Sequence, residues 1–162
     1  MDALKLHLLL NYYPAIGMVI AAVVLASGTW LGRALTQRLG LKIIAVTVLL
    51  ALAVAFTGEF AGMAEMQRTG PRADALTAHK LSGTAAFVTA LIAGVLAVIG
   101  LVRGSTDAER PRRLYAITLI IAVASSVLFI ATIFKGRQVK WAAQSTPAVL
   151  RLIETENKLW HA

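Results

Sequence analysis

Residues 78–102 read AHKLSGTAAFVTALIAGVLAVIGLV, and between Lys80 and Arg103 no side chain is charged. A helix needs about 20 apolar residues to cross a hydrocarbon core of about 30 Å. Backbone groups in lipid must find their partners within the segment, which for an isolated stretch means a helix. Residues 78–102 are therefore a membrane span, and three further segments share its character, at about 6–31, 41–61 and 114–134. The whole chain agrees, with 58% of its 162 residues hydrophobic and a mean hydropathy of +0.74. Soluble domains are roughly 45–50% apolar. The expected fold class is all-α: an integral membrane four-helix bundle over residues 1–134, followed by a polar tail, 135–162.

The links between spans are short at Gly32 to Gly40 and Gly104 to Arg113, and longer at Gly62 to Thr77, where Gly70-Pro71 signals a turn. Short links make consecutive helices antiparallel neighbours, so the expected topology is up-down-up-down. Pro14 frees a carbonyl in the first span and predicts a kink there, which neighbouring helices can tolerate. In the tail, Thr146-Pro147 has the form of an N-cap followed by a first-turn proline. Val149, Leu152, Ile153 and Trp160 then form an apolar stripe opposite Arg151, Glu154 and Lys158. That pattern predicts a short amphipathic helix lying on the membrane or on a partner. No internal repeat or low-complexity segment is evident.

The net charge of +8 sits in short segments between apolar runs, without the basic face that nucleic acid requires. Nucleic-acid binding is excluded on that ground. With no cysteine, disulfides, Cys-ligated iron–sulfur clusters and covalently attached c-type haem are excluded too. Residues 1–5 carry one basic side chain, Lys5, and the apolar run after it outlasts a signal-peptide core of ~7–15 residues, so the first span reads as a retained helix. Arg33, Arg38 and Lys42 in the first link, and Arg103, Arg110, Arg112 and Arg113 in the third, place those links in the cytoplasm and both termini outside. Lys135, Arg137 and Lys140 beside the fourth span pull the other way. The expected location is a bacterial inner membrane.

Polar groups inside spans are costly and mark function by default. His7 opens the first span, with Asn11, Pro14 and Met18 on the same face, and His79 opens the third, with Gly83, Ala86 and Ala90 at matching offsets. The second span ends at the same surface on Thr57-Gly58-Glu59. His7, Asn11, Glu59 and His79 thus gather at one depth. Two imidazoles on diagonal helices could ligate both faces of a haem iron, as in b-type cytochromes. Gly83 and Ala86 would leave room for the ring, and Asn11 or Glu59 would hold the second N–H of a ligating imidazole. Lys5, Arg72 or Lys80 would pair with propionates. The plainer alternative is that both histidines sit among lipid headgroups, where a polar ring is cheap. Met18, Met63 and Met66 read as packing. Tyr12, Tyr13, Trp30 and Trp160 read as interfacial aromatics, and His161 as a surface residue. No nucleophile–base constellation, phosphate loop or HExxH motif occurs, so nothing points to hydrolysis or group transfer.

His7-x3-Asn11-x2-Pro14-x2-Gly17, then Thr57-Gly58-Glu59-x-Ala61, then His79 at the third span, resemble a family of small four-helix bacterial inner-membrane proteins of unknown function. The resemblance covers residues 5 to 102. Members usually have Asn-His-x-Pro where this chain has Asn11-Tyr12-Tyr13-Pro14, Glu at the position of Lys80, and a further Glu at the position of Gly62. Those departures leave His7 and His79 as the pair common to both.

The leading expectation is a membrane electron-transfer subunit with a non-covalent haem b, its iron ligated by His7 and His79 and its site completed by Asn11, Glu59 and Gly83. It would work within a larger respiratory or photosynthetic complex, exchanging electrons with quinone or a periplasmic cytochrome. One alternative is a cofactor-free subunit that anchors such a complex in the bilayer. Another is a quinone or metal site built from His7, Glu59 and His79.

Overall fold

The computed structural model describes the backbone of residues 7, 10–66, 73–106 and 112–160, and side chains over 7, 10–59, 77–104 and 112–137. Four helices follow in order: α1 (Tyr12–Trp30), α2 (Ala34–Met66), α3 (Ala73–Thr106) and α4 (Arg112–Trp160). Each contains a segment long and apolar enough to cross a bilayer, at Tyr12–Trp30, Ala34–Glu59, Thr77–Gly104 and Arg112–Arg137. The protein is an all-α, multi-pass membrane bundle.

Burial follows the logic of lipid. Ala21, Ala86, Ala90, Ala93, Ala97 and Ala122 have no exposed surface, while Trp30, Val23, Leu49, Leu81 and Ile120 face outward. Lipid tails are as apolar as leucine, so helices gain by bringing small residues and hence backbones together, not by hiding large ones. Gly28 illustrates the closeness: a Cβ there would stand 2.6 Å from the backbone nitrogen of Gln37. The α1–α2 turn closes on Gly32, whose φ of 64° suits a residue without a Cβ. Around it the Leu31 N–H donates to Ser27 and the Arg33 N–H to Gly28, both at 2.9 Å, capping α1 in a Schellman arrangement.

The helices extend further than charge alone suggests. α2 begins at Ala34, well before residue 41, with Arg38 and Lys42 in its first turns near the interface: Lys42 is exposed, and the Arg38 head reaches the Gly104 carbonyl. α4 stays helical for 49 residues, so Thr146-Pro147 lies inside a helix and does not start one. The run from Lys135 to Ser145 is rich in Lys, Arg, Gln and Ala, which propagate a helix, and Pro147 withholds one N–H from it. The amphipathic segment of the tail is the distal part of α4, and its side chains lie outside the described residues.

Each helix packs on its chain neighbours, and α1 also packs on α4, so α1 and α3 are diagonal. The α1–α2 and α3–α4 contacts are about equally extensive, and both exceed the contacts between hairpins. This reveals a repeat that the sequence hides. Buried Pro14, Met18, Ala21, Leu25 and Gly28 of α1 correspond in register to buried Ala86, Ala90, Ala93, Ala97 and Gly100 of α3. Buried Gln37, Ile44, Thr47, Ala51 and Val54 of α2 correspond likewise to Tyr115, Ala122, Ser125, Phe129 and Thr132 of α4. The same alignment sets His7 against His79 and Gly58 against Gly136. The correspondence maps one hairpin onto the other, helix for helix. Identical residues are few because any small or apolar side chain satisfies most positions.

Candidate functional site

His7 stands one helical turn before α1. Asn11 has helical dihedrals and its N–H donates to the His7 carbonyl at 2.9 Å, so the ring is carried on a turn continuous with the span. The imidazole lies on Gly58 of α2, where an added Cβ would be 2.8 Å from its Cε1. Its Nδ1 is 3.5 Å from the Thr57 hydroxyl oxygen. That hydroxyl also lies within reach of the Ala53 and Val54 carbonyls, at 3.1 and 3.0 Å. Which of the two groups, hydroxyl or imidazole, donates to the other is set by the imidazole tautomer.

His79 repeats the arrangement in the second hairpin. It lies in the second turn of α3, at the start of the membrane-crossing segment. Its ring rests on Gly136 of α4, where a Cβ would be 3.0 Å from Cε1. Its Nδ1 is 3.1 Å from the Thr132 carbonyl oxygen. A carbonyl only accepts, so the Nδ1 of His79 bears the hydrogen. The neutral His79 ring therefore keeps Nε2 as its lone-pair nitrogen, the state in which imidazole binds a metal.

Several of the expected companions stand elsewhere. Asn11 is half-buried and makes no capping bond, and neither it nor Glu59 holds an imidazole N–H. The Thr57 hydroxyl and the Thr132 carbonyl meet the two Nδ1 atoms instead, because each ring leans sideways onto the next helix of its own hairpin. Glu59 is two-thirds exposed and pairs with Lys80 at 3.3 Å. Gly83 and Ala86 leave no room for a ring on their face: Thr132 stands 3.6 Å from where a Gly83 Cβ would be, and Ala86 is fully buried, its carbonyl accepting from Ser125. The small residues of α3 serve close packing on α4. Met18 is wholly buried, as a packing residue should be. Lys5, Arg72 and His161, and the side chains of Met63, Met66 and Trp160, lie outside the described residues.

Gly136 and its flanks, Lys135 and Arg137, escape a sequence reading that ends the fourth span at Phe134. Their signal was present: Gly136 follows Phe134 as Gly58 follows Phe56. Lys135 is exposed and directly precedes Gly136, on which the His79 ring rests. At the opposite end, Arg38 of α2 donates to the Gly104 carbonyl of α3. Beside it in sequence, Gln37 is buried and its Oε1 has no partner.

Among the described residues no three His, Asp or Glu side chains gather closely enough to hold a metal ion. A three-ligand cage of His7, Glu59 and His79 is therefore not formed, whereas a haem iron asks only for two imidazoles. An apolar groove of about 290 Å³ runs between α1 and α4, lined by Tyr12, Ile16, Val19, Ile130 and Ile133 among others, on the lipid-facing side.

No family model matches the chain, and neither a curated protein nor a solved structure is similar to it.

Proposed function

We propose that this membrane protein is an electron-transfer subunit that holds one non-covalent haem b between His7 and His79. The observation that carries the reading is the pair of imidazoles on diagonal helices at one end, each seated on a glycine of the next helix. The donor set fits haem iron: two neutral nitrogens and no thiolate or carboxylate. Bound haem supplies one-electron chemistry. The protein's part is to fix both ring orientations from behind and to surround the site with apolar helices that limit water. Two axial imidazoles leave no open position on iron, which favours electron transfer over oxygen chemistry. The likeness to the small four-helix inner-membrane family belongs to the same reading.

On this reading the histidine end faces the periplasm, and partners are quinone or a periplasmic cytochrome within a larger respiratory or photosynthetic complex. A reporter fused after Ala162 should behave as periplasmic and one inserted at 104–109 as cytoplasmic; the reverse pattern would move the site to the other face. A second reading, a cofactor-free anchoring subunit, draws support from the full burial of Ala86, Ala90, Ala93 and Ala97, which leaves the mid-bundle closely packed. A reduced-minus-oxidised optical spectrum of the purified protein separates the two. A low-spin α-band supports the haem, and its absence after reconstitution with haem leaves the anchor.

A further inference from the structure

The two half-sites match in geometry and differ in charge. Where hairpin one flanks its glycine with Thr57 and Glu59, hairpin two flanks Gly136 with Lys135 and Arg137. The residue before the glycine meets the imidazole in hairpin one, where Thr57 reaches His7, and in hairpin two Lys135 directly precedes the glycine on which His79 rests. After the glycine, Glu59 of hairpin one pairs with Lys80 across to α3. That ion pair joins the carboxylate of hairpin one's rim to Lys80 of hairpin two, whereas Lys135 and Arg137, also of hairpin two, are both exposed at its rim.

Resting on the function proposed above, we infer that Lys135 and Arg137 are an anion-docking pair that takes the carboxylates of the ligand held by the two imidazoles, and so fixes which way a two-fold seat is occupied. A two-fold pair of ligands gives a planar molecule two equivalent orientations. Among the described residues, the exposed cations that flank a histidine's glycine are on hairpin two, and a carboxylate-bearing edge gains charge-assisted hydrogen bonds there. Guanidinium and ammonium together suit two carboxylates, the first by its fork and the second as a point charge. The same chemistry would also suit lipid phosphates, so the two sources must be told apart.

The test titrates haem and haem dimethyl ester, which lacks the acidic groups, into the full-length protein and into Lys135→Gln/Arg137→Gln. Measurements are made in nanodiscs of zwitterionic lipid and of phosphatidylglycerol. In both lipids the double variant should lose on the order of tenfold in haem affinity, as expected for charge-assisted bonds, while ester affinity stays unchanged. The control Glu59→Gln should leave the haem-to-ester ratio as it is. An unchanged ratio in the double variant, with wild type binding haem, overturns the docking pair alone. A loss confined to phosphatidylglycerol and equal for both ligands assigns the cations to lipid headgroups and also overturns it. Wild type that binds neither ligand brings down the haem reading itself and this inference with it.

Discussion

The hairpin α1–α2 and the hairpin α3–α4 bury corresponding positions, rest one imidazole each on one glycine, and bring each Nδ1 to a polar oxygen of the following helix. They differ where those constraints relax. Asn11 corresponds to Gly83, Gln37 to Tyr115, Thr57 to Lys135 and Glu59 to Arg137. The architecture is held by small residues at register positions, where a Cβ too many forces backbones apart. Identity elsewhere is free to drift, and charge at the rims is free to specialise. The comparison separates what makes the bundle from what would make it useful.

The most severe way to break the equivalence is to remove an imidazole. His7→Ala and His79→Ala should each abolish six-coordinate, low-spin haem absorption, because each ring fills one axial position. If only one substitution does so, the hairpins are alike in shape alone. A subtler probe adds one methyl group beneath each ring. Gly58→Ala and Gly136→Ala place a Cβ 2.8 and 3.0 Å from the imidazole of their own hairpin. Overpacking of this kind costs about 1–3 kcal/mol. Each variant should lower the low-spin fraction while the protein stays folded, with Gly58→Ala the stronger; a spectrum identical to wild type in both would dissolve the glycine seat.

Gln37 sharpens the comparison at the opposite end, since its counterpart Tyr115 is also buried. An unpaired buried amide oxygen costs about 1–3 kcal/mol. Gln37→Met, similar in length and without that oxygen, should raise the thermal midpoint in detergent by a few degrees. A lower midpoint would mean that the amide is satisfied in the membrane. The smallest effect belongs to Glu59→Gln. Its pair with Lys80 is largely exposed, and such pairs contribute about 0–1 kcal/mol. Haem content and stability should both stay within error of wild type, and loss of haem would return Glu59 to the site.

Four spans and their order were legible from sequence, and so was the place of each histidine along its helix, because apolar length and intramembrane polarity are one-dimensional signals. The histidines' partners were not. Depth can be counted along a helix, but the direction in which a ring leans depends on where the neighbour offers a gap. For both rings that gap is a glycine on the next helix, reached across a turn. Asn11 and Glu59 had the right depth and the wrong azimuth. Gly83 was read as space because small residues can either open a cavity or close a contact, and Thr132 closes this one. The repeat was invisible for a related reason: it conserves burial, which the sequence records only as a choice among many apolar residues.

Arg38 gives the bundle a mechanical polarity. Far from the histidines, its guanidinium on α2 grips the Gly104 carbonyl near the end of α3, joining one hairpin to the other. At the histidine end each imidazole leans on the next helix of its own hairpin, and the Lys80–Glu59 pair that crosses between hairpins there is exposed. The two ends of the bundle are thus joined by different means: a guanidinium on a backbone carbonyl at one, and at the other an ion pair that water screens.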